Sequence, residues 1–255
     1  MSDIEALKDV QWLFFDVFGT VVDWKSHMAE SMLKVCKRVE PELAEKHTEA
    51  SDEVWQDRVQ QWRNGFMKNA RERQGDREKG GMDEGHRMLL DKLLDEWKVS
   101  DVWDANAREE LVKEWHKLQG WSDSAEGLKR LHEKFILCSL TNGDLAVMIS
   151  MCRGAGLVVD SHITGDSIQT YKPDPAMYKQ GIRLSRLPAN KVAMVAAHAY
   201  DLDAAKSHGM KTIYIKRSTE DASDPLTREA AEGRFDAFID LEEGGLVALA
   251  KKFGL

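Results

Sequence analysis

Cysteine, excess basic charge and long apolar runs are all scarce in this chain. Its three cysteines, Cys36, Cys138 and Cys152, are odd in number, far apart and without metal-ligand spacing, which predicts a reduced, intracellular protein. Lys and Arg total 36 against 44 Asp and Glu, a net charge of −8. The clustered basic surface of a nucleic-acid-binding protein is therefore missing. No apolar run approaches membrane-spanning length, and the longest is interrupted by Asp16. Met1–Asp9 carries acids and no long apolar core, so no signal peptide is predicted. Internal repeats and low-complexity segments are also lacking. These absences predict a cytoplasmic protein with no nucleic-acid and no membrane partner, long enough for one large domain or a core with an insertion.

What is present has two textures. Residues from about 25 to 121 read as helices with no clear strand. Met28, Met32, Val35, Cys36 and Val39 form one apolar stripe, and Trp55, Val59, Trp62, Phe66 and Ala70 a second. Leu89, Leu90, Leu93, Leu94 and Trp97 form a third, and Leu111, Trp115 and Leu118 a shorter fourth. Gln74–Asp83, rich in glycine and charge, predicts a loop. After Trp121 short apolar runs alternate with helical segments. Phe135–Leu140 reads as a strand followed by a helix from about Asp144. Val192–Val195 is another, followed by a helix from Tyr200 that Gly209 can cap, and Thr212–Ile215 a third. Ser218–Arg234 reads as a surface loop or short helix. This rhythm predicts an α/β fold: a Rossmann-like parallel-sheet core from 1–24 and 122–255, with 25–121 as an inserted helical cap.

The most informative stretch is Trp12-Leu13-Phe14-Phe15-Asp16-Val17-Phe18-Gly19-Thr20. An apolar run short enough for a buried strand ends in a carboxylate, at the strand end where open α/β sheets place their chemistry. Such an aspartate is ionised at neutral pH and needs no base to act as a nucleophile. Thr141-Asn142-Gly143 follows the second strand and offers a hydroxyl, an amide and loop N–H groups to a carboxylate or a leaving anion. In Tyr171-Lys172-Pro173-Asp174 the proline keeps Lys172 extended. An ammonium beside Asp16 would keep that carboxylate ionised and draw in an anionic substrate. The fourth segment, Val195 to Asp201, carries His198, able to position or deprotonate a water, with Asp201 three residues on as its orienting partner. In Trp62-Arg63-Asn64-Gly65-Phe66, Arg63 flanks the second apolar stripe, where a guanidinium could meet a departing anion. Arg58 is the competitor on the same helix.

These ordered motifs resemble the haloacid dehalogenase superfamily and, within it, the L-2-haloacid dehalogenases of type II. The superfamily's phosphatases resemble Asp-x-Asp at the first motif and carry another Asp where this chain has Ala197. Here the two positions are Phe18 and Ala197, and Asp16 with Asp201 would make a poor octahedral Mg²⁺ site, so no metal and no cofactor are expected. The dehalogenases resemble Asp-x-(Tyr/Phe)-Gly-Thr, as here. The resemblance implies Asp16 as nucleophile, Thr20 holding its rotamer, and Lys172, His198 and Asp201 completing the catalytic group. It implies substrate contacts from Phe18, Arg63, Thr141, Asn142 and Tyr178, with Thr141 on the carboxylate and Asn142 and Arg63 near the halide. Two departures stand out: those enzymes typically show Ser and Asn where this chain has Ala196 or Ala197 and His198.

The implied activity is metal-independent hydrolysis of short (S)-2-haloacids to 2-hydroxy acids through an Asp16 ester. The implied partner is a small anionic 2-haloacid, and a homodimer is compatible with the pattern. A non-catalytic anion-binding protein of the same fold, or a hydrolase of a non-halogenated substrate, are the alternatives. If His198 prepares the water, an acid limb near the ordinary imidazole pKa of roughly 6.5 is expected.

Overall fold

The structure, a computed structural model, describes residues 4–73, 81–221 and 226–255, without the side chains of 70–73. Gln74–Gly80 of the expected loop and the side chain of Ala70 lie outside the described residues. Of the rest of that expected loop, Gly81 precedes a helix and Met82 and Asp83 are helical instead.

Among the described residues six strands form one sheet: β1 (Trp12–Phe15), β2 (Ile136–Thr141), β3 (Ser161–Thr164), β4 (Val192–Ala196), β5 (Lys211–Ile215) and β6 (Ala237–Ile239). The order is β3-β2-β1-β4-β5-β6 and every pairing is parallel. Leu13 and Phe15 face one apolar cluster and Phe14 the other, so β1 is buried on both faces. That is why its sequence is a continuous apolar run rather than an alternating one. Phe15 lies opposite Ser139 on β2 and Val195 on β4, which brings Asp16, Thr141 and Ala197 to the same rim of the sheet. Here the chain order reverses around β1, and the crevice this creates is where open α/β sheets bind ligands.

The described residues between β1 and β2 include helices α1 (Trp24–Val39), α2 (Pro41–Lys46), α3 (Glu53–Arg73), α4 (Met82–Glu96) and α5 (Ala105–Lys113). Asp23 caps α1 by accepting from the Ser26 N–H at 3.1 Å, and Asp104 caps α5 through the Ala107 N–H at 2.7 Å. The apolar stripes converge: Met28, Met32, Trp55, Val59, Trp62, Leu90, Leu94 and Leu111 are all buried. The outgoing and returning chain run side by side, with the Asp23 N–H on Gln119 O and the Trp121 N–H on Val21 O, both 3.1 Å. Asp144, on the loop after β2, accepts from the Met82 N–H at 2.5 Å and so ties the start of α4 to the sheet.

The sheet is flanked by α6 (Ser124–Leu131), α7 (Leu145–Gly154), α8 (Gly165–Ile168), α9 (Pro175–Ser185), α10 (Ala199–Ser207), α11 (Arg228–Ala231) and α12 (Gly245–Lys252). Sequence periodicity missed β3 and β6. β3 holds a single buried aliphatic side chain, Ile163, among polar neighbours, and β6 is three residues long. No helix among the described residues is long and apolar enough to cross a membrane.

Candidate active site

Asp16 leaves β1 directly into a loop that turns through Gly19 at φ +87°. Its Oδ1 accepts from Lys172 Nζ at 2.7 Å. Its Oδ2 accepts from Thr20 Oγ1 at 2.8 Å and lies 3.0 Å from His198 Nδ1. Thr20 Oγ1 in turn accepts from the Ala197 N–H at 2.8 Å, which fixes the hydroxyl so that its hydrogen points at the carboxylate. Burial alone would raise the Asp16 carboxyl; the charges and bonds of Lys172 and His198 outweigh it and hold the group well below the ordinary carboxylate range.

Lys172 is almost entirely buried and bridges Asp16 to Asp201, whose Oδ2 is 2.5 Å away. Burial works against the ammonium, but the two carboxylates prevail and raise its pKa. Asp201 also accepts from Tyr178 Oη at 2.7 Å, and Tyr178 is fully buried on α9. Burial, reinforced by the Asp201 charge, pushes the Tyr178 hydroxyl up, so it keeps its proton and donates. Asn142 Oδ1 accepts from the Lys172 N–H at 2.6 Å and its Nδ2 donates to Lys172 O at 3.2 Å. The amide thus grips the lysine backbone, on the loop whose Lys172–Pro173 peptide is cis. Thr141 is buried beside it, with its Oγ1 accepting from the Gly143 N–H at 3.2 Å. A Cβ at Gly143 would come within 2.9 Å of the Phe18 ring, so glycine there is what lets Phe18 lie against the second motif.

His198 does not pair with Asp201. Its Nδ1 faces Asp16 and its Nε2 lies 2.8 Å from Glu220 Oε2, while both Asp201 oxygens are engaged by Lys172 and Tyr178. The reason is geometric: His198 precedes α10, and the first turn of that helix carries Asp201 to the Lys172 side of the rim. Glu220 was not singled out from the sequence. It lies in the polar stretch after β5 that reads as a surface loop or short helix, and the only available signal is an acid close behind a strand end. It is anchored by Trp24 Nε1 at 2.9 Å and Thr219 Oγ1 at 3.0 Å, both on Oε1. Burial disfavours the His198 imidazolium, but its bonds to Asp16 and Glu220 raise its pKa well above 6.5. Likewise Glu220, although burial opposes its charge, is held below its usual value by His198.

A cavity of about 560 Å³ opens beside these groups, with His198, Tyr200 and Glu220 on the sheet side and Arg63, Asn64 and Met67 on α3. The Arg63 guanidinium carbon sits 4.8 Å from the Phe18 ring centre, 5.7 Å from Trp24 and 6.0 Å from Trp115. Burial opposes its charge, partly offset by Tyr200, Glu220 and Asp16. Arg58 points elsewhere: it lies 3.5 Å from Glu40 and 4.4 Å over the Trp97 ring. Of the ten sequence-selected residues, His198 and Arg63 line this cavity from opposite sides, while Asp16, Thr20, Lys172, Asp201 and Tyr178 form the bonded cluster behind His198. No group of three or more His, Cys, Asp or Glu suited to a metal ion occurs among the described residues.

A parallel sheet with an aspartate at the end of its central strand and a buried lysine bridging two carboxylates define an α/β protein with a charged, buried site at one rim of its sheet. The chain belongs to the haloacid dehalogenase-like hydrolase family, whose profile matches residues 10–209. The (S)-2-haloacid dehalogenase 4A of Burkholderia cepacia is 29% identical over 146 residues, 51% of this chain and 63% of that protein. The (S)-2-haloacid dehalogenase 1 of a Pseudomonas strain is 28% identical over 131 residues, 50% of this chain and 57% of that protein. Both matches cover less than two thirds of the relative's length. A crystal structure of an L-2-haloacid dehalogenase is similar with a TM-score of 0.77 and 30% identity, over 96% of this chain and 99% of that one. That of a defluorinating L-2-haloacid dehalogenase has a TM-score of 0.75 and 27% identity, over 96% of each chain.

Proposed function

We propose that the protein is a metal-independent hydrolase of short (S)-2-haloacids, with residues 25–121 acting as the cap over the site. The observation that carries the reading is an ionised Asp16, fixed by Lys172 and Thr20 and joined through His198 to a cavity whose opposite wall presents Arg63 among aromatic faces. An Asp16 oxygen attacks the halogen-bearing carbon from the side opposite the leaving group. The carbon–oxygen bond forms as the carbon–halogen bond breaks with its electron pair, and the configuration inverts. Arg63 meets the developing halide, where a guanidinium with no carboxylate bound to it among the described residues stabilises charge that appears only in the transition state. Thr141 and the N–H groups of its loop receive the substrate carboxylate, Asn142 and Phe18 flank the leaving group, and Tyr178 with Asp201 keeps Lys172 in place. Water then attacks the Asp16 carboxyl carbon and releases the 2-hydroxy acid, with His198 placed to handle that water.

Chemistry rather than affinity tests this. Incubation with monochloroacetate and (S)-2-chloropropionate should release halide, and Asp16→Asn should lower turnover by roughly a thousandfold or more with the fold kept. In labelled water, one ¹⁸O should enter the Asp16 carboxylate after a single turnover. Label found only in the product would mean direct attack by water and would sink the ester route.

A further inference from the structure

We propose that Glu220 is a positioning residue that lets His198 act as a base only after Asp16 has been alkylated. The inference rests on the dehalogenase reading and deepens it. His198 is a bridge between two carboxylates, Nδ1 at 3.0 Å from Asp16 and Nε2 at 2.8 Å from Glu220. An imidazole can donate to both neighbours at once only as the imidazolium, since the neutral ring carries a single N–H. Before alkylation, then, His198 has no free lone pair and cannot take a proton from water.

Ester formation changes one side of that bridge. The Asp16 negative charge disappears as halide leaves, and the imidazolium keeps only one anionic partner. The other charged or titratable groups bearing on it are Tyr200 on α10, 5.7 Å away ring to ring, Lys172 through Asp16, and Arg63 of α3 through Glu220. With one carboxylate gone, the Nδ1 proton is lost to solvent through the cavity that His198 lines. The Nε2–H stays on Glu220, so the lone pair is presented at Nδ1, on the side of the ester. Nδ1 then takes a proton from water, and hydroxide adds to the Asp16 carboxyl carbon. Collapse breaks the carboxyl carbon–alkoxy oxygen bond, and the hydroxyl proton moves to the alkoxide. Asp16 carboxylate, 2-hydroxy acid and His198 imidazolium are regenerated. The proton shed between the two steps is the one that accompanies the halide, so the cycle balances as haloacid plus water giving hydroxy acid, halide and a proton.

The surroundings of Glu220 fit a residue held for orientation. Trp24 Nε1 and Thr219 Oγ1 both donate to Oε1, leaving Oε2 for His198. A Cβ on Gly19 would collide with the Glu220 carboxyl, so the loop beside the nucleophile is shaped to admit it.

Glu220→Gln tests the idea in single-turnover experiments with monochloroacetate, following halide and intact protein mass. The variant should give a stoichiometric halide burst at the wild-type rate, then accumulate the Asp16 adduct as ester hydrolysis slows on the order of a hundredfold. The His198 titration, followed by ¹⁵N shifts of histidine-labelled protein, should move to lower pH. Trp24→Phe, which removes one anchor of Glu220, should act in the same direction more weakly. Wild-type hydrolysis rates in both variants would overturn the inference, as would loss of the burst together with hydrolysis, which would make Glu220 a structural residue. A wild-type protein that releases no halide would overturn the dehalogenase reading itself and this inference with it.

Discussion

At the scale of single residues the site is a chain of alternating charges: Asp201, Lys172, Asp16, His198, Glu220. Removing any one leaves a buried neighbour uncompensated, which is costlier than the pair is worth. Two carboxylates set the protonation of His198, so the acid limb near 6.5 expected from an isolated imidazole should be missing. In the free protein the imidazolium persists well above that pH. The profile of kcat/KM, which reports the unbound protein, should stay flat through pH 6.5. An acid limb centred near the ordinary histidine value would contradict this. The same sign holds for stability: the raised His198 pKa contributes stabilisation fully present below its unfolded value and lost as pH rises through its folded one. The cysteines take no part, because burial pushes the Cys36 and Cys138 thiols up to about 12 and the Cys152 thiol up to about 11.

At the scale of elements, helices were legible wherever an apolar stripe ran for several turns, because one buried face per turn is a local property of the chain. The stripes through Trp55, Val59 and Trp62 and through Leu90, Leu93 and Leu94 became the buried faces of α3 and α4. Ends were less legible than interiors. The helix expected from Tyr200 starts at Ala199, and its first turn is anchored by Asp221, whose Oδ2 accepts from the Ala199 N–H at 2.9 Å. α4 begins where Asp144 reaches across from the sheet, a partner 62 residues away that no local signal announces. The caps that were local should behave as such. Asp104→Ala removes the acceptor for the Ala107 N–H and should cost about 1 kcal/mol, read as a lower urea midpoint at unchanged m value.

At the scale of the whole molecule, helices α1 and α3 face the sheet rim across the cavity, with Trp24 and Arg63 on one side and His198 and Glu220 on the other. The Lys172 ammonium stands between Asp16 and Asp201, the only two carboxylates left of the phosphatase pattern. Halide release after dialysis against excess EDTA should therefore be undiminished, and activity lost on chelation and restored only by Mg²⁺ would refute the metal-independent reading. The strand-end aspartate, the apolar residues at 18 and 197 and the βαβ rhythm needed nothing beyond the chain itself. Each depends on residues a few positions apart, whose backbone geometry is set by strand and turn. Which side chains meet across loops was decided by the tertiary structure alone. His198 turned from Asp201 to Glu220, Asn142 closed on the Lys172 backbone, and Arg63 rather than Arg58 reached the cavity. Those pairings form where loops from different strands converge on one rim of the sheet, and spacing along the chain does not encode that convergence.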